Sequence, residues 1–352
     1  MFSRSDKRRT ALRHSLLLIA LVLSGCGGSE QHEEIAYGVV RDEVPTRIVV
    51  VQDDGKKARR VTGAKRGASP VLPKWSPDGN RIAFVRFRRQ GGPRSLQVYV
   101  VNGDGSNERH VGEGTLPSWT ADGRFLVVER LRLAPQVSTI HVLAASGNGE
   151  RKLTSGSSPV LSHDGKTVAF VRYTYAKQRG GKGYRITATR LYTIALDGTK
   201  LRLISKAEGK ELTQPSWLPG DAAIAVLERR GGGGLGGPLW RFSLNGKRRL
   251  VARGVGETYA WSPKGDLLAY TAGGILYLIR PDGTEVDAFG QSNAIDIEWS
   301  PDGTKVAFSM QEAVETAQFV GFYIIDIEKG ERRRFALADG FAAFLDWRPL
   351  RD

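Results

Sequence analysis

A chain of 352 residues, 40% hydrophobic and 25% charged, has the composition of an ordinary globular protein and is long enough to bury a large core. Forty-three glycines, two methionines and few windows of helical periodicity argue against a helical bundle and for a turn-rich β protein, and a single cysteine rules out any intrachain disulfide. The formal net charge of +15 bears on partners and not on fold.

The N-terminus reads as an export segment. Arg4, Lys7, Arg8, Arg9 and Arg13 form a basic start, and residues 16–23 form an apolar run too short to span a bilayer as a permanent helix. The run ends in "LSGC", which resembles the bacterial lipobox. That resemblance implies that Cys26 is lipidated and becomes the first residue of the mature protein, anchored either to the outer face of the cytoplasmic membrane or to the outer membrane. Arg8 and Arg9 are paired as in a twin-arginine signal, but their flanks do not match one, so general secretion is favoured. Residues 1–25 are therefore expected to be a signal peptide and residues 26–34, polar and glycine-rich, a flexible tether. Five basic residues and one acid leave with the signal, so the mature chain keeps a charge of +11.

From residue 35 onward the sequence repeats. "WSPDGNRIAF" at residues 75–84 returns as "WSPDGTKVAF" at 299–308. Pro presets φ, Asp can hydrogen-bond its own backbone and Gly accepts positive φ, so the middle of each string is a turn flanked by two strands. Aligning on the first residue gives Trp75, Trp119, Leu161, Trp217, Trp261, Trp299 and Trp347, in steps of 44, 42, 56, 44, 38 and 48 residues. A second strand follows each complete turn, for example "FLVVERL" and "TVAFVRY". Later in each unit comes a hairpin signal: Asp54-Gly55, Asp104-Gly105, Asn148-Gly149, Asp197-Gly198, Asn245-Gly246, Asp282-Gly283 and Lys329-Gly330.

These counts predict an all-β propeller of four-stranded antiparallel blades, seven in number with six as the alternative. "IAYGVV" from Ile35 reads as a second strand with no first, and "FAAFLDW" at residues 341–347 as a first strand with no second. Joined, they form one blade and close the ring, which removes open sheet edges. Pro73, Pro117, Pro159 and Pro215 each stand two residues before the aligned position, as an innermost strand, itself an edge, allows. Residues 35–352 are thus expected to be one propeller domain.

The motif "WSPDG..IAF", followed by "LQVYVVNGDGSNERHV" and "RLYTIALDGTKLRLIS", resembles the WD-like repeats of TolB-type β-propellers. The resemblance covers residues 35–349 and implies an envelope propeller that acts by protein contacts. The chain departs from that family in lacking the N-terminal α/β domain, in carrying a lipobox and in counting seven blades instead of six.

Catalytic signals are sparse. No G-x-S-x-G elbow is present, and His14, His32, His110, His141 and His163 are scattered. "NGDGSNE" at residues 102–108 lacks the ordered oxygen ligands of a calcium loop, so neither a metal nor a cofactor is expected. Lys74, Glu298 and Asp346 each precede the aligned Trp in neighbouring blades, and their meeting at the central channel would make an interblade ion pair or a ligand site. The connections between second and third strands are glycine-rich and basic. Arg86, Arg88, Arg89 and Arg94 mark the first, Arg130 and Arg132 the second, Lys177, Arg179, Lys182 and Arg185 the third, and Arg229 and Arg230 the fourth. They read either as a solvated rim or as a face that docks an anionic envelope component, an acidic protein patch or a glycopolymer, and not nucleic acid. The leading expectation is a monomeric, non-catalytic, lipid-anchored scaffold. The alternatives are an envelope polysaccharide lyase or hydrolase, or a ligand sensor, using the channel.

Overall fold

The "WSPDG" turn folds as its residue types dictate. In the first copy Ser76 Oγ donates to the Asp78 carboxylate and accepts from the Arg81 N–H at 2.9 Å, while the Asn80 N–H donates to the same carboxylate at 3.0 Å. Gly79 stands at φ 64° and its N–H closes the turn on the Ser76 carbonyl at 2.8 Å. Thr120 with Asp122, Ser162 with Asp164, and Ser300 with Asp302 repeat the hydroxyl–carboxylate contact, so copies with different central residues fold alike.

A computed structural model describes residues 32–350 apart from 41–45, 64–67, 88–95, 134–136, 179, 182, 231–235, 257, 291–293, 315–316 and 341. Among these residues the chain forms seven sheets, each of four antiparallel strands, arranged as a seven-bladed β-propeller. Strands within a blade are called a to d from the channel outward, and blades 1 to 6 begin at Ser69, Thr115, Ser157, Lys210, Tyr259 and Ala294. Blade 7 takes strand a, Ala342–Trp347, from the C-terminus and strands b to d, Glu34–Val40, Val49–Gln52 and Arg59–Arg60, from the N-terminus. The register runs from Ile35 opposite Trp347 to Val40 opposite Ala342. This is the closure that the two orphan strands predict.

The core lies between blades. Seven apolar clusters occupy the seven interfaces. In blade 1, Ile82 and Phe84 pack toward blade 7 with Ile48 and Val50, while Ala83 on the opposite face packs toward blade 2 with Leu126 and Val128. Strand b is therefore buried on both faces, which explains why "RIAFVRF" is a continuous apolar run with no polar alternation: Ile82 through Arg86 are all buried.

Two features differ from the sequence reading. In blade 2 the c–d turn pivots on Gly147, at φ 87°, whose N–H reaches the Ala144 carbonyl, so the pivot lies two residues before Gly149. The inner strands also carry a bulge. Leu72, Leu116, Ser158 and Gln214, each just before a Pro, have φ of 51–53°, and the pairing with strand b skips at each of these places. Pro lacks the N–H for regular pairing, and the left-handed residue before it bends the strand.

Candidate functional site

Strand direction alternates, so a–b and c–d turns share one end of the ring while b–c and d–a connections share the other. Strands a line the channel. Their tryptophans link blades: the indole N–H of Trp119 donates to the Lys74 carbonyl at 2.9 Å, Trp217 to Val160 at 3.1 Å, Trp299 to Ala260 at 3.0 Å and Trp347 to Glu298 at 3.3 Å. Each acceptor is the residue before the aligned position in the preceding blade. These four Trp residues thus couple neighbouring blades as well as filling the core, whereas the buried Trp75 and Trp261 indole nitrogens make no such bond.

The structure brings Lys74, Glu298 and Asp346 together. Lys74 Nζ lies 2.5 Å from Glu298 Oε1 and 2.8 Å from Asp346 Oδ1, and the second Asp346 oxygen accepts the Trp75 N–H at 2.6 Å. One member was not anticipated: Asp296, whose Oδ2 accepts the Leu345 N–H at 3.0 Å. It precedes Glu298 by two in the same strand, a period-two spacing that could have found it. The group borders a channel cavity of about 360 Å³, lined also by Leu72, Leu116, Gln214, Tyr259, Ile295 and Phe344.

One ammonium faces three carboxylates, so not all three ionise readily. Burial, reinforced by Glu298 and opposed by Lys74, pushes Asp296 up to about 7. Burial pushes Asp346 up to about 6, with Lys74 opposing and Glu298 adding to the shift. Burial disfavours charge on Lys74, but Asp346 and Glu298 outweigh it and hold its pKa well above the ordinary lysine value. Raised carboxylate pKa values mean that the folded state binds more protons than the unfolded one, so this contribution to stability is present near pH 4 and is lost as pH rises toward 7. Asp296→Asn should therefore melt higher than the parent at pH 8, by on the order of 1–2 kcal/mol, and match it near pH 4. Melting curves at the two pH values check this; an advantage that is the same at both would contradict it.

The basic connections divide. Arg86 is 3% exposed and paired with Glu108 at 2.6 Å, so it is withdrawn from the surface. Arg130 pairs with Glu150, and Arg132 lies 3.5 Å from Glu113. Lys177 and Arg185 are exposed on the b–c hairpin of blade 3, and Arg229 is half-buried in strand b of blade 4. Arg88, Arg89, Arg94, Arg179, Lys182, the Arg230 side chain and Cys26 lie outside the described residues. The histidines sit apart: His110 bonds Gln97, His141 bonds Glu150 and Thr139, and His163 bonds Asp221. Among the described residues no three His, Cys, Asp or Glu side chains are arranged to hold a metal ion.

No protein-family model matches the chain. Of curated proteins, the Tol-Pal system protein TolB of Alcanivorax borkumensis is 34% identical over 92 residues, covering 25% of this chain and 20% of that protein. A Protein TolB homolog of Chlorobium luteolum is 31% identical over 153 residues, 41% of this chain and 33% of that protein. The match therefore spans a third or less of the length of these relatives. Of solved structures, TolB from Acinetobacter baumannii has a TM-score of 0.53 at 15% identity, covering 89% of this chain and 83% of that one. An oligogalacturonate lyase in complex with manganese gives 0.58 at 13% identity, covering 86% and 85%. The chain is thus similar to TolB proteins over part of its length, and it shares the β-propeller fold of the solved structures.

Proposed function

We propose that this chain is an exported, non-catalytic propeller that docks a macromolecular partner of the cell envelope at the end of the ring where the b–c connections emerge, held at the membrane by lipid on Cys26. The observation that supports this most is the b–c hairpin of blade 3. Its strands, Thr167–Lys177 and Tyr184–Ala195, continue well past Val171, the last residue paired with the inner strand, and carry exposed Lys177, Tyr184 and Arg185 outward. An aromatic between two cations on a projecting ribbon suits recognition better than core formation. The likeness to a protein of the Tol-Pal system supports a scaffold role in the same compartment.

Crosslinking in intact cells, followed by identification of the captured proteins, tests the reading. A defined envelope partner should be captured by the parent chain and lost in Lys177→Glu/Arg185→Glu at unchanged melting temperature. Retention of the same partner by the reversed variant would move the docking surface elsewhere.

A further inference from the structure

We infer that the groove between blades 2 and 3 is a binding site for the oxyanion of an acidic glycan, a sugar bearing carboxylate or phosphate. This inference rests on the docking role above and names a class of ligand for the same end of the ring. The starting point is a position that repeats. Arg86, Arg130 and Arg172 each stand eleven residues after the aligned residue of their blade, in strand b. In blades 1 and 2 the arginine meets a carboxylate, Glu108 or Glu150, located three residues after the pivot glycine of the c–d turn. In blade 3 the residue three after Gly198 is Leu201, 48% exposed, and the carboxylate is missing.

Arg172 is nevertheless held in place. Its Nε donates to the Ser155 carbonyl and one terminal nitrogen to Thr154 Oγ1, both at 2.8 Å, and its guanidinium lies 4.6 Å from the Tyr192 ring centroid. Arg190 is its direct cross-strand partner on strand c, and Lys206 continues the row on strand d. Like charges placed opposite one another on adjacent strands are unfavourable unless something neutralises them. Glu208 at the outer end pairs with Lys206 at 2.5 Å, whereas Arg190 bonds a neutral oxygen, Thr174 Oγ1, at 2.9 Å. No ion pair joins Arg172, Arg190 or Lys152 to a carboxylate among the described residues.

These three cations line a cavity of about 570 Å³, within the range of small-ligand sites. Arg172 and Arg190 both line it, and a guanidinium's forked N–H donors match the paired oxygens of a carboxylate or phosphate. The rest of the lining favours a sugar over an acidic peptide. Thr154 and Thr174 accept from arginine and so keep their hydroxyl protons to donate, Ser155 adds a third hydroxyl, and Tyr192 supplies ring surface.

The test is calorimetric titration of the folded chain with a polyuronate tetrasaccharide, a phosphate-bearing oligosaccharide, a neutral oligosaccharide and poly-glutamate. At least one acidic oligosaccharide should bind, more weakly as salt rises, and which one binds tells carboxylate from phosphate. Two variants ask whether the groove is responsible. Arg172→Gln/Arg190→Gln removes the donors, and Leu201→Glu supplies the internal carboxylate that blades 1 and 2 already have. Each should weaken binding at least tenfold, and Leu201→Glu should do so without lowering the melting temperature, which separates loss of the site from loss of the fold. Failure of both acidic oligosaccharides to bind, unchanged affinity in Leu201→Glu, or poly-glutamate binding as tightly as the glycan would each overturn the inference. A captured protein partner in the Lys177/Arg185 experiment would leave the docking role standing in any of those cases.

Discussion

Ending the chain at Gly340 should abolish cooperative folding. The deletion removes strand a of blade 7, so the N-terminal strand Glu34–Val40 loses its partner along six paired positions and blades 6 and 1 face an open slot. Ala343, Leu345 and Trp347 leave a core cluster in which they are at most 5% exposed. Burial of Leu and Trp side chains alone contributes on the order of 5 kcal/mol, close to the whole stability of many domains. Two polar ties go as well: Arg348, which contacts Glu34 at 2.5 Å and the Gly79 carbonyl at 2.8 Å, and Asp346, which holds Lys74. The expected result is loss of a sigmoidal melt by circular dichroism, with soluble aggregates on gel filtration because a strand edge is exposed. A peptide covering residues 341–352, added in trans, should restore the melt by completing the sheet. Trp347→Phe is the mild comparison, costing about 1 kcal/mol for one indole hydrogen bond and a little volume. A truncated chain that melts within a few degrees of the parent would show that the ring does not depend on this closure.

The ring could be read before any coordinates because the repeat is written in turn chemistry. Ser76, Asp78 and Gly79 do their work within a few residues of one another, so sequence order and spatial order coincide. Closure was legible for a related reason: an orphan strand at each end can only be satisfied by the other. What escaped was long-range or side-chain specific. Arg86 reads as part of a basic loop, yet burial beside Glu108 depends on how blade 1 folds back on itself. Arg172 occupies the same repeat position, and only its missing carboxylate partner, visible once Leu201 is set beside Glu108 and Glu150, distinguishes it. The left-handed residues before Pro73, Pro117, Pro159 and Pro215 escaped too, because the sequence shows that these prolines sit at an edge but not how the strand yields to them.

The channel group carries the second large effect, and its charges predict that removing the cation costs more than removing one anion. Lys74→Met leaves Asp296, Glu298 and Asp346 facing one another without a counter-ion. Breaking a fully buried pair from one side costs about 3–5 kcal/mol. The Lys74 side chain is 39% exposed to the channel, where water screens the charges, so the expected loss is about 2–3 kcal/mol at pH 8. It should shrink toward pH 5, where the carboxylates with raised pKa values take up protons and need less compensation. Asp346→Asn keeps an oxygen for the Trp75 N–H, leaves Glu298 on Lys74 and removes a carboxylate whose charge burial already disfavours, so a loss of at most about 1 kcal/mol is expected. The double variant should lose less than the two single losses combined, because the side chains share one interaction. Urea unfolding of the four proteins at pH 5 and pH 8 gives the cycle, and additive losses with no pH dependence would show that Lys74 and Asp346 do not act as a unit. Partner capture by Asp346→Asn completes the comparison: full capture at reduced stability fits a group that closes the ring, while unchanged stability with lost capture would make the channel mouth itself the binding site.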